Sequence, residues 1–175
     1  MILNPSEAFL SMLIGVLVGH YVYFRGPYEF LFTLGAPVGA SITSMLFRKR
    51  NKIPIIYFIV LLVAYFATPI SRNLPLWGMW NVYIAFIVLL TIIQLKVSKA
   101  RLFTCSFIGL EADVLFRIFL FVPLQTYRLL FGFNLEIMRL IWMAAAFITP
   151  IQVALSLIFT GIAYPALKRI AKRRQ

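Results

Sequence analysis

The sequence predicts an all-α integral membrane protein, a bundle of six transmembrane helices with both termini in the cytoplasm. Of its 175 residues, 62% are hydrophobic and 13% are charged, and the mean hydropathy is +0.94. Soluble domains are typically about 45–50% apolar. So much apolar side chain fits lipid as the solvent, and the basic residues cluster at the ends of apolar runs. We therefore expect residues 1–175 to form a single transmembrane domain.

Six apolar segments are close to the length that a membrane span requires. A bilayer core of about 30 Å needs about 20 helical residues. The segments cover residues 6–24, 28–47, 53–70, 75–95, 101–123 and 136–167. Pro37 and Pro150 lie inside two of them and are expected to kink those helices. The connection 124–135 is the longest on the predicted outer side and is a candidate for a mobile lid.

Most of the 17 Lys and Arg residues lie in three clusters, which predict the orientation in the membrane. The clusters fall within residues 48–52, 96–101 and 168–174, after the second, fourth and sixth segments. Basic loops are retained on the cytoplasmic side. This predicts a multi-pass protein of the cell membrane with both termini inside. Because the net charge of +12 is placed in this way, we expect contacts with membrane lipids and none with nucleic acid.

Motifs for catalysis, nucleotide binding or metal binding are not found in the sequence. A single cysteine, Cys105, allows no internal disulfide and no cysteine metal cluster, and His20 is the only histidine. The sequence has no glycine-rich phosphate loop, zinc-helix histidine pair or nucleophile elbow. We therefore predict no cofactor, no metal and no enzymatic activity, and powered transport would require partner subunits.

Three ionisable residues lie near the middle of the fifth segment, where charged groups are costly and mark function by default. Asp113 and Arg117 are four residues apart with the acid first, so they share a helix face and are expected to form an ion pair. Glu111 points about 200° away from Asp113. Two interpretations remain open. One is a structural pair plus one buried, protonated acid, and the other is a polar binding site or ion path.

The sixth segment carries a polar stripe along one helix face. A polar stripe in a membrane helix must face protein or water. For the Thr and Ser residues we favour interhelical hydrogen bonding. Arg139 and Trp142 can hold a planar or anionic ligand by hydrogen bonds and stacking, or can simply anchor the helix at the interface. The stripe comprises Arg139, Trp142, Thr149, Ser156 and Thr160, with Gln152 beside it.

Small residues recur at four-residue spacing in the first two segments. Ser11, Gly15 and Gly19 follow this spacing in the first, and Gly35 and Gly39 in the second. Such spacing lets helices approach closely. The face on the first helix serves either packing inside the bundle or docking to another subunit.

Taken together, these features resemble the substrate-binding S component of energy-coupling factor (ECF) vitamin transporters. The resemblance rests on the size, the six predicted helices, the small-residue face of the first helix, the run FIGLEAD at residues 107–113, the region 123–136, and Pro150 before a basic end. It implies an outer pocket for a vitamin or similar metabolite. It also implies docking to a membrane T component with two ATPase subunits. In that family the docking face carries alanines, where this chain has Gly15 and Gly19.

We therefore expect a substrate-binding membrane subunit of an ECF-type importer. One alternative is a membrane enzyme acting on a lipid or isoprenoid substrate, with Glu111 or Asp113 as acid/base. Another is an accessory or scaffold subunit that binds no ligand and assembles through its glycine faces. The predicted ligand-binding residues are Asp113, Arg117, Arg139, Trp142, Glu111, Tyr127 and Asn81, and the predicted docking residues are Ser11, Gly15 and Gly19.

Overall fold

A computed structural model describes residues 3–23, 26–94 and 101–173, and these are helical with short connections. No strand occurs within those ranges, so the all-α class is confirmed. Two short 3-10 helices, Pro69–Asn73 and Leu76–Met79, lie between α4 and α5. The α-helices are α1 Pro5–Val22, α2 Pro27–Thr33, α3 Gly35–Phe47, α4 Lys52–Ala67, α5 Trp80–Gln94, α6 Arg101–Phe121, α7 Thr126–Leu129 and α8 Leu135–Arg173.

Three helical stretches of the described chain are long and apolar enough to cross a membrane. They are Pro5–Val22, Tyr28–Phe47 and Leu135–Pro165, the second of which joins α2 to α3. Lys52–Ala67 and Leu76–Ile92 are apolar but shorter. α6 has 21 residues, about 31 Å of helix, but it carries four charged side chains. These lengths are compatible with a helical membrane protein.

The helix ends differ from the predicted segments where local backbone chemistry intervenes. α4 ends at Ala67 because Thr68 precedes Pro69 and adopts an extended conformation, with ψ 128°. The segment predicted from residue 75 begins as a 3-10 turn and becomes α-helical at Trp80. α8 runs through Pro150 and Pro165 without interruption, and its 39 residues span about 58 Å.

α6 is the central helix of the bundle and contacts α2, α3, α4, α5, α7 and α8. Its closest neighbour is α3, because both helices lack a side chain at the crossing point. A Cβ atom added to Gly39 would overlap the carbonyl oxygen of Gly109, and one added to Gly109 would overlap Thr43 Oγ1. Two glycines at a crossing let the backbones approach closely. Tyr57 Oη also donates to Ala112 O over 2.9 Å and ties α4 to the same helix.

Side-chain hydrogen bonds define the two ends of the bundle. At one end, Arg101 Nη2 donates to Leu46 O and Phe47 O, each over 3.0 Å, and satisfies the last carbonyls of α3. We call this the basic end, because Arg48, Lys49 and Arg50 follow there. At the opposite end, which we call the loop end, the connections 68–79 and 122–134 meet the start of α8. The predicted basic residues Lys96, Lys99 and Arg174 lie outside the described residues.

α1 lies at the periphery of the bundle and packs against α3. None of the residues of α1 is buried, although the helix is as apolar as a membrane span. Its first turn is closed by a capping box, in which the Asn4 backbone N–H donates to Glu7 Oε2 over 2.8 Å.

Candidate functional site

A cavity of about 430 Å³ lies between α6 and α8, and we call it the first cavity. Its volume is within the range of about 300–1,000 Å³ that small-molecule sites occupy. Four of the predicted ligand-binding residues, Asn81, Asp113, Arg117 and Trp142, lie on its wall. The full lining comprises Phe32, Gly78, Asn81, Leu110, Asp113, Val114, Arg117, Ile118, Phe121, Phe131, Ile141, Trp142, Ala145, Thr149, Gln152, Val153 and Ser156.

The expected ion pair is present on the α6 wall of this cavity. Arg117 Nε donates to Asp113 Oδ1 over 2.8 Å, and Arg117 Nη2 donates to Asp113 Oδ2 over 2.7 Å. The two parallel bonds fix the guanidinium and the carboxylate in one plane. The Asp113 side chain is 13% exposed and that of Arg117 is 47% exposed. The remaining N–H groups of the guanidinium are therefore accessible as hydrogen-bond donors.

Gly35 makes room for the Asp113 carboxylate. A Cβ atom added to Gly35 would overlap Asp113 Oδ1, and it would lie 3.0 Å from the Asp113 carbonyl oxygen. The ion pair thus packs directly on the backbone at the junction of α2 and α3. A larger residue at position 35 would displace the carboxylate and misalign the pair.

Trp142 is a fixed part of the α8 wall. Its Nε1 donates to Pro75 O over 3.0 Å, and its ring stacks on Tyr65 with 5.6 Å between centroids and a 2° interplanar angle. A Cβ atom added to Gly78 would overlap the indole, so this glycine also sets the position of the ring. Because Tyr65 covers one face of the indole, a ligand in the cavity meets an aromatic wall that is already ordered.

The polar residues of α8 divide into two groups. Ser156 Oγ donates to Gln152 O over 2.9 Å, and Thr160 Oγ1 donates to Ser156 O over 2.8 Å. The expectation of interhelical hydrogen bonds is wrong for these two hydroxyls, which bond one turn back in their own helix instead. The Thr149 hydroxyl and the Gln152 amide form no side-chain hydrogen bond within the described chain, and both line the first cavity. They are free to bind a ligand.

Aromatic rings line the first cavity at its loop end. Phe32 lies 5.9 Å from Phe121 and 5.9 Å from Phe131, and the last two are 6.1 Å apart, measured between ring centroids. Phe133 stacks on Phe131 at 5.4 Å. Phe131 belongs to the connection before α8, so the predicted lid region supplies part of the cavity wall. Its movement as a lid stays a prediction.

Glu111 lies on the opposite side of α6 from the ion pair, as the 200° rotation predicts. It is fully buried, and its Oε2 accepts a hydrogen bond from Asn81 Nδ2 over 2.8 Å. Its other oxygen, Oε1, has no hydrogen-bond partner among the described residues. Glu111 does not line the first cavity, whereas Asn81 does. Of the two carboxylates, only Asp113 is placed for contact with a ligand there. Glu111 instead holds the side chain of Asn81, which lines the cavity, by a hydrogen bond.

Two further predicted residues also lie off the first cavity. Arg139 is exposed, and its Nε donates to Asn73 O over 2.9 Å, which fastens α8 to the 3-10 segment outside the wall. Tyr127 is buried against Phe121, with 6.1 Å between the ring centroids. The shared Arg139–Trp142 pocket is therefore not formed, because the two side chains bond to different backbone carbonyls of the same connection.

The structure adds cavity residues that the sequence did not single out. Phe32 lies in α2, Phe131 lies in the connection before α8, and Gly78 lies in a 3-10 turn. The sequence gives no periodic signal for such residues, since each comes from a different element. Gln152 lies beside the predicted polar stripe and not in it, yet its amide is among the polar groups available to a ligand.

The predicted docking residues of α1 do not line the first cavity. Ser11, Gly15 and Gly19 are exposed, and a Cβ atom added to either glycine would meet no other described atom within 4 Å. Packing of this face inside the bundle is therefore excluded for the described part of the chain. The face points away from the bundle.

The described residues contain no group of three or more His, Cys, Asp or Glu side chains that can hold a metal ion. The chemistry that the first cavity offers is hydrogen bonding, ion pairing and apolar contact. Comparison with known protein families, with curated proteins and with solved structures finds no match for this chain.

Proposed function

We propose that the chain is the substrate-binding membrane subunit of an ECF-type importer and that the first cavity holds its ligand, a vitamin or similar small metabolite. The observation that carries this proposal is the first cavity itself. Its 430 Å³ are lined mainly by apolar side chains, yet its wall holds an ion pair and two hydrogen-bonding side chains without partners in the described chain. Polar groups are costly inside a membrane bundle, so their concentration around one cavity indicates a binding site.

The wall chemistry defines the class of ligand. Asp113 already neutralises Arg117, so the guanidinium offers hydrogen bonds to an acceptor more than it offers net charge. Thr149 and Gln152 offer donors and acceptors on the opposite wall. The rings of Phe32, Phe121 and Phe131 and the indole of Trp142 favour a flat or aliphatic body. The proposed ligand is a neutral or singly anionic molecule with acceptor groups at one side and an apolar body.

The proposed topology is six spans with both termini in the cytoplasm of a cell-membrane protein. Three helical stretches meet the length and hydropathy of a span, and α4, the Leu76–Ile92 stretch and α6 supply the other three. The concentration of Arg48, Lys49, Arg50 and Arg101 at the basic end supports placing that end inside. The aromatic end of the first cavity then lies on the outer side.

The outward face of α1 supports docking of a partner. Gly15 and Gly19 present bare backbone to the surroundings of the bundle, which permits close approach of another membrane helix. We propose that the T component, which carries the two ATPase subunits, packs on this face. The chain itself has no nucleotide-binding motif, so energy for uptake comes from that partner.

Native mass spectrometry of the tagged protein, extracted gently from its host membranes, tests the proposal. We expect a retained small-molecule mass, or co-purifying masses of a membrane protein and ATPase subunits. A protein that carries only lipid and no partner would contradict the importer function and favour a scaffold or a lipid-directed enzyme.

The docking face has its own pair of variants. Gly15→Leu adds a side chain to the proposed interface, whereas Leu17→Phe adds bulk about 200° around the helix from Gly15. We expect Gly15→Leu to abolish co-purification of the partner and Leu17→Phe to preserve it. Equal co-purification in the two variants would remove α1 as the docking element.

A further inference from the structure

A second cavity, of about 370 Å³, lies between α1, α3 and α6 towards the basic end. Hydroxyl side chains from three helices line it, namely Thr43 and Ser44 of α3, Ser106 of α6 and Thr160 of α8. Apolar side chains, including Met12 of α1, complete the wall. The ligand site proposed above does not use this cavity.

The two cavities share one turn of α6. Leu110 and Asp113 line both of them. From that turn the first cavity continues along α6 to Phe121 and the second continues in the other direction to Leu102. α8 shows the same order, since Ser156 ends the lining of the first cavity and Thr160 belongs to the second. The cavities therefore follow one another from the loop end to the basic end.

The shared turn lies where the two cavities meet. The Asp113 carboxylate is held in place by two hydrogen bonds from Arg117 and by contact with the backbone of Gly35. Arg117 is the more exposed partner of the pair, so it can leave the carboxylate by rotation into the first cavity. Separation of the pair would free the Asp113 side chain to move away from the turn that divides the two spaces.

We propose that the two cavities form one path through the bundle, closed at Leu110 and Asp113 while the Asp113–Arg117 pair is intact. A ligand held in the first cavity reaches the second when the pair separates. The path then offers hydroxyl groups in both cavities, and the Asp113 carboxylate between them, to a molecule that carries hydrogen-bonding groups. The inference rests on the first cavity being the ligand site.

Cysteine accessibility tests the path without knowledge of the ligand. The background is Cys105→Ala, which removes the lone cysteine, and the reporters are Ala145→Cys in the first cavity and Ser106→Cys in the second. A membrane-impermeant sulfonated maleimide is added from the loop-end side of sealed vesicles. We expect fast labelling of Ala145→Cys and slow labelling of Ser106→Cys.

The barrier is then opened by Asp113→Asn with Arg117→Gln, which removes both charges, keeps the shape of residue 113 and shortens residue 117. We expect labelling of Ser106→Cys to rise at least about fivefold, the factor for about 1 kcal/mol in an opening equilibrium. Ala145→Cys, already accessible, is expected to change less. Leu110→Ala, which widens the same turn without touching the charges, is expected to act in the same direction and covers the case in which the double variant does not fold.

An unchanged labelling rate of Ser106→Cys in the folded variants would overturn the path, as would fast labelling before the pair is broken. The ligand site is judged separately by the retained mass. If a ligand mass is retained but the labelling of Ser106→Cys does not change, the path is wrong and the ligand site stands. If the labelling depends on the Asp113–Arg117 pair but no ligand mass is retained, the ligand site is wrong and the connection between the cavities stands.

Discussion

Two pairs of glycines with the same spacing have opposite surroundings in this protein. Gly35 and Gly39 of α3 lie against α6, where an added Cβ would overlap Asp113 or the backbone of Gly109. Gly15 and Gly19 of α1 have the same four-residue spacing, but an added Cβ at either position would meet no other described atom within 4 Å. In α3 the glycines let two helices of one chain approach, and in α1 they leave backbone accessible to another molecule.

The difference shows that small-residue spacing predicts a close approach but does not identify the partner. α3 lies beside a central helix whose own Gly109 completes the crossing. α1 packs on α3 with another face and buries none of its residues. A membrane helix without buried residues gains little from its own bundle, and its exposed small residues are the part available to a second subunit.

The largest difference between the two regions is expected in the free energy of unfolding when a larger side chain is introduced at the α3–α6 crossing. Gly109→Leu forces a side chain into Thr43 and the Gly39 backbone, which cannot retreat without separating the helices. We expect a loss of about 3 kcal/mol or more in the free energy of unfolding, or no folded protein after extraction. Thermal unfolding followed by size-exclusion chromatography measures it.

The matched substitution in α1 is Gly15→Leu. Because the position is open in the described chain, the isolated protein is expected to lose no more than about 0.5 kcal/mol. Equal destabilisation by Gly15→Leu and Gly109→Leu would mean that α1 packs inside the bundle after all.

A second effect concerns the buried polar pair on the far side of α6. Asn81→Leu leaves Glu111 fully buried without its hydrogen-bond donor, and we expect a loss of about 1–3 kcal/mol. Replacing both residues by Leu should restore part of that stability, because no buried polar group is then left unpaired. A double variant less stable than Asn81→Leu alone would contradict this role of the pair.

A small effect is also expected at Arg139, which sequence alone would place in the ligand site. Arg139→Ala removes one exposed hydrogen bond to Asn73 O, so its cost is expected to be no more than about 1 kcal/mol. Ligand retention is expected to equal that of the wild type, whereas Thr149→Val should reduce it. If the folded Arg139→Ala variant lost the ligand, Arg139 would be part of the ligand site and this prediction would be wrong.

The sequence carries enough information for the helical segments and for the Asp113–Arg117 pair. Apolar runs between basic clusters mark the helices, and the i, i+4 order of acid and base fixes which side chains meet. It also predicts that Glu111 and Asp113 face opposite sides. Each of these relations is set within one helix.

The remaining features depend on how separate elements meet. Phe32 reaches the first cavity from α2 and Phe131 reaches it from the connection before α8, and no periodic pattern links them. Arg139 and Trp142 share a helix face, yet each bonds to a separate carbonyl of the 69–79 region. The position of Gly109 opposite Gly39 likewise requires knowledge of which helices are neighbours.

The central claim is that the cavity between α6 and α8 binds a small molecule. The most direct test fills it and compares ligand retention by native mass spectrometry. Ala145 lines the first cavity, whereas the adjacent Ala144 is exposed and does not, so Ala145→Trp and Ala144→Trp form a matched pair. We expect Ala144→Trp to retain the ligand mass of the wild type and Ala145→Trp, folded to the same extent, to lose it. Equal retention by both variants would contradict the account.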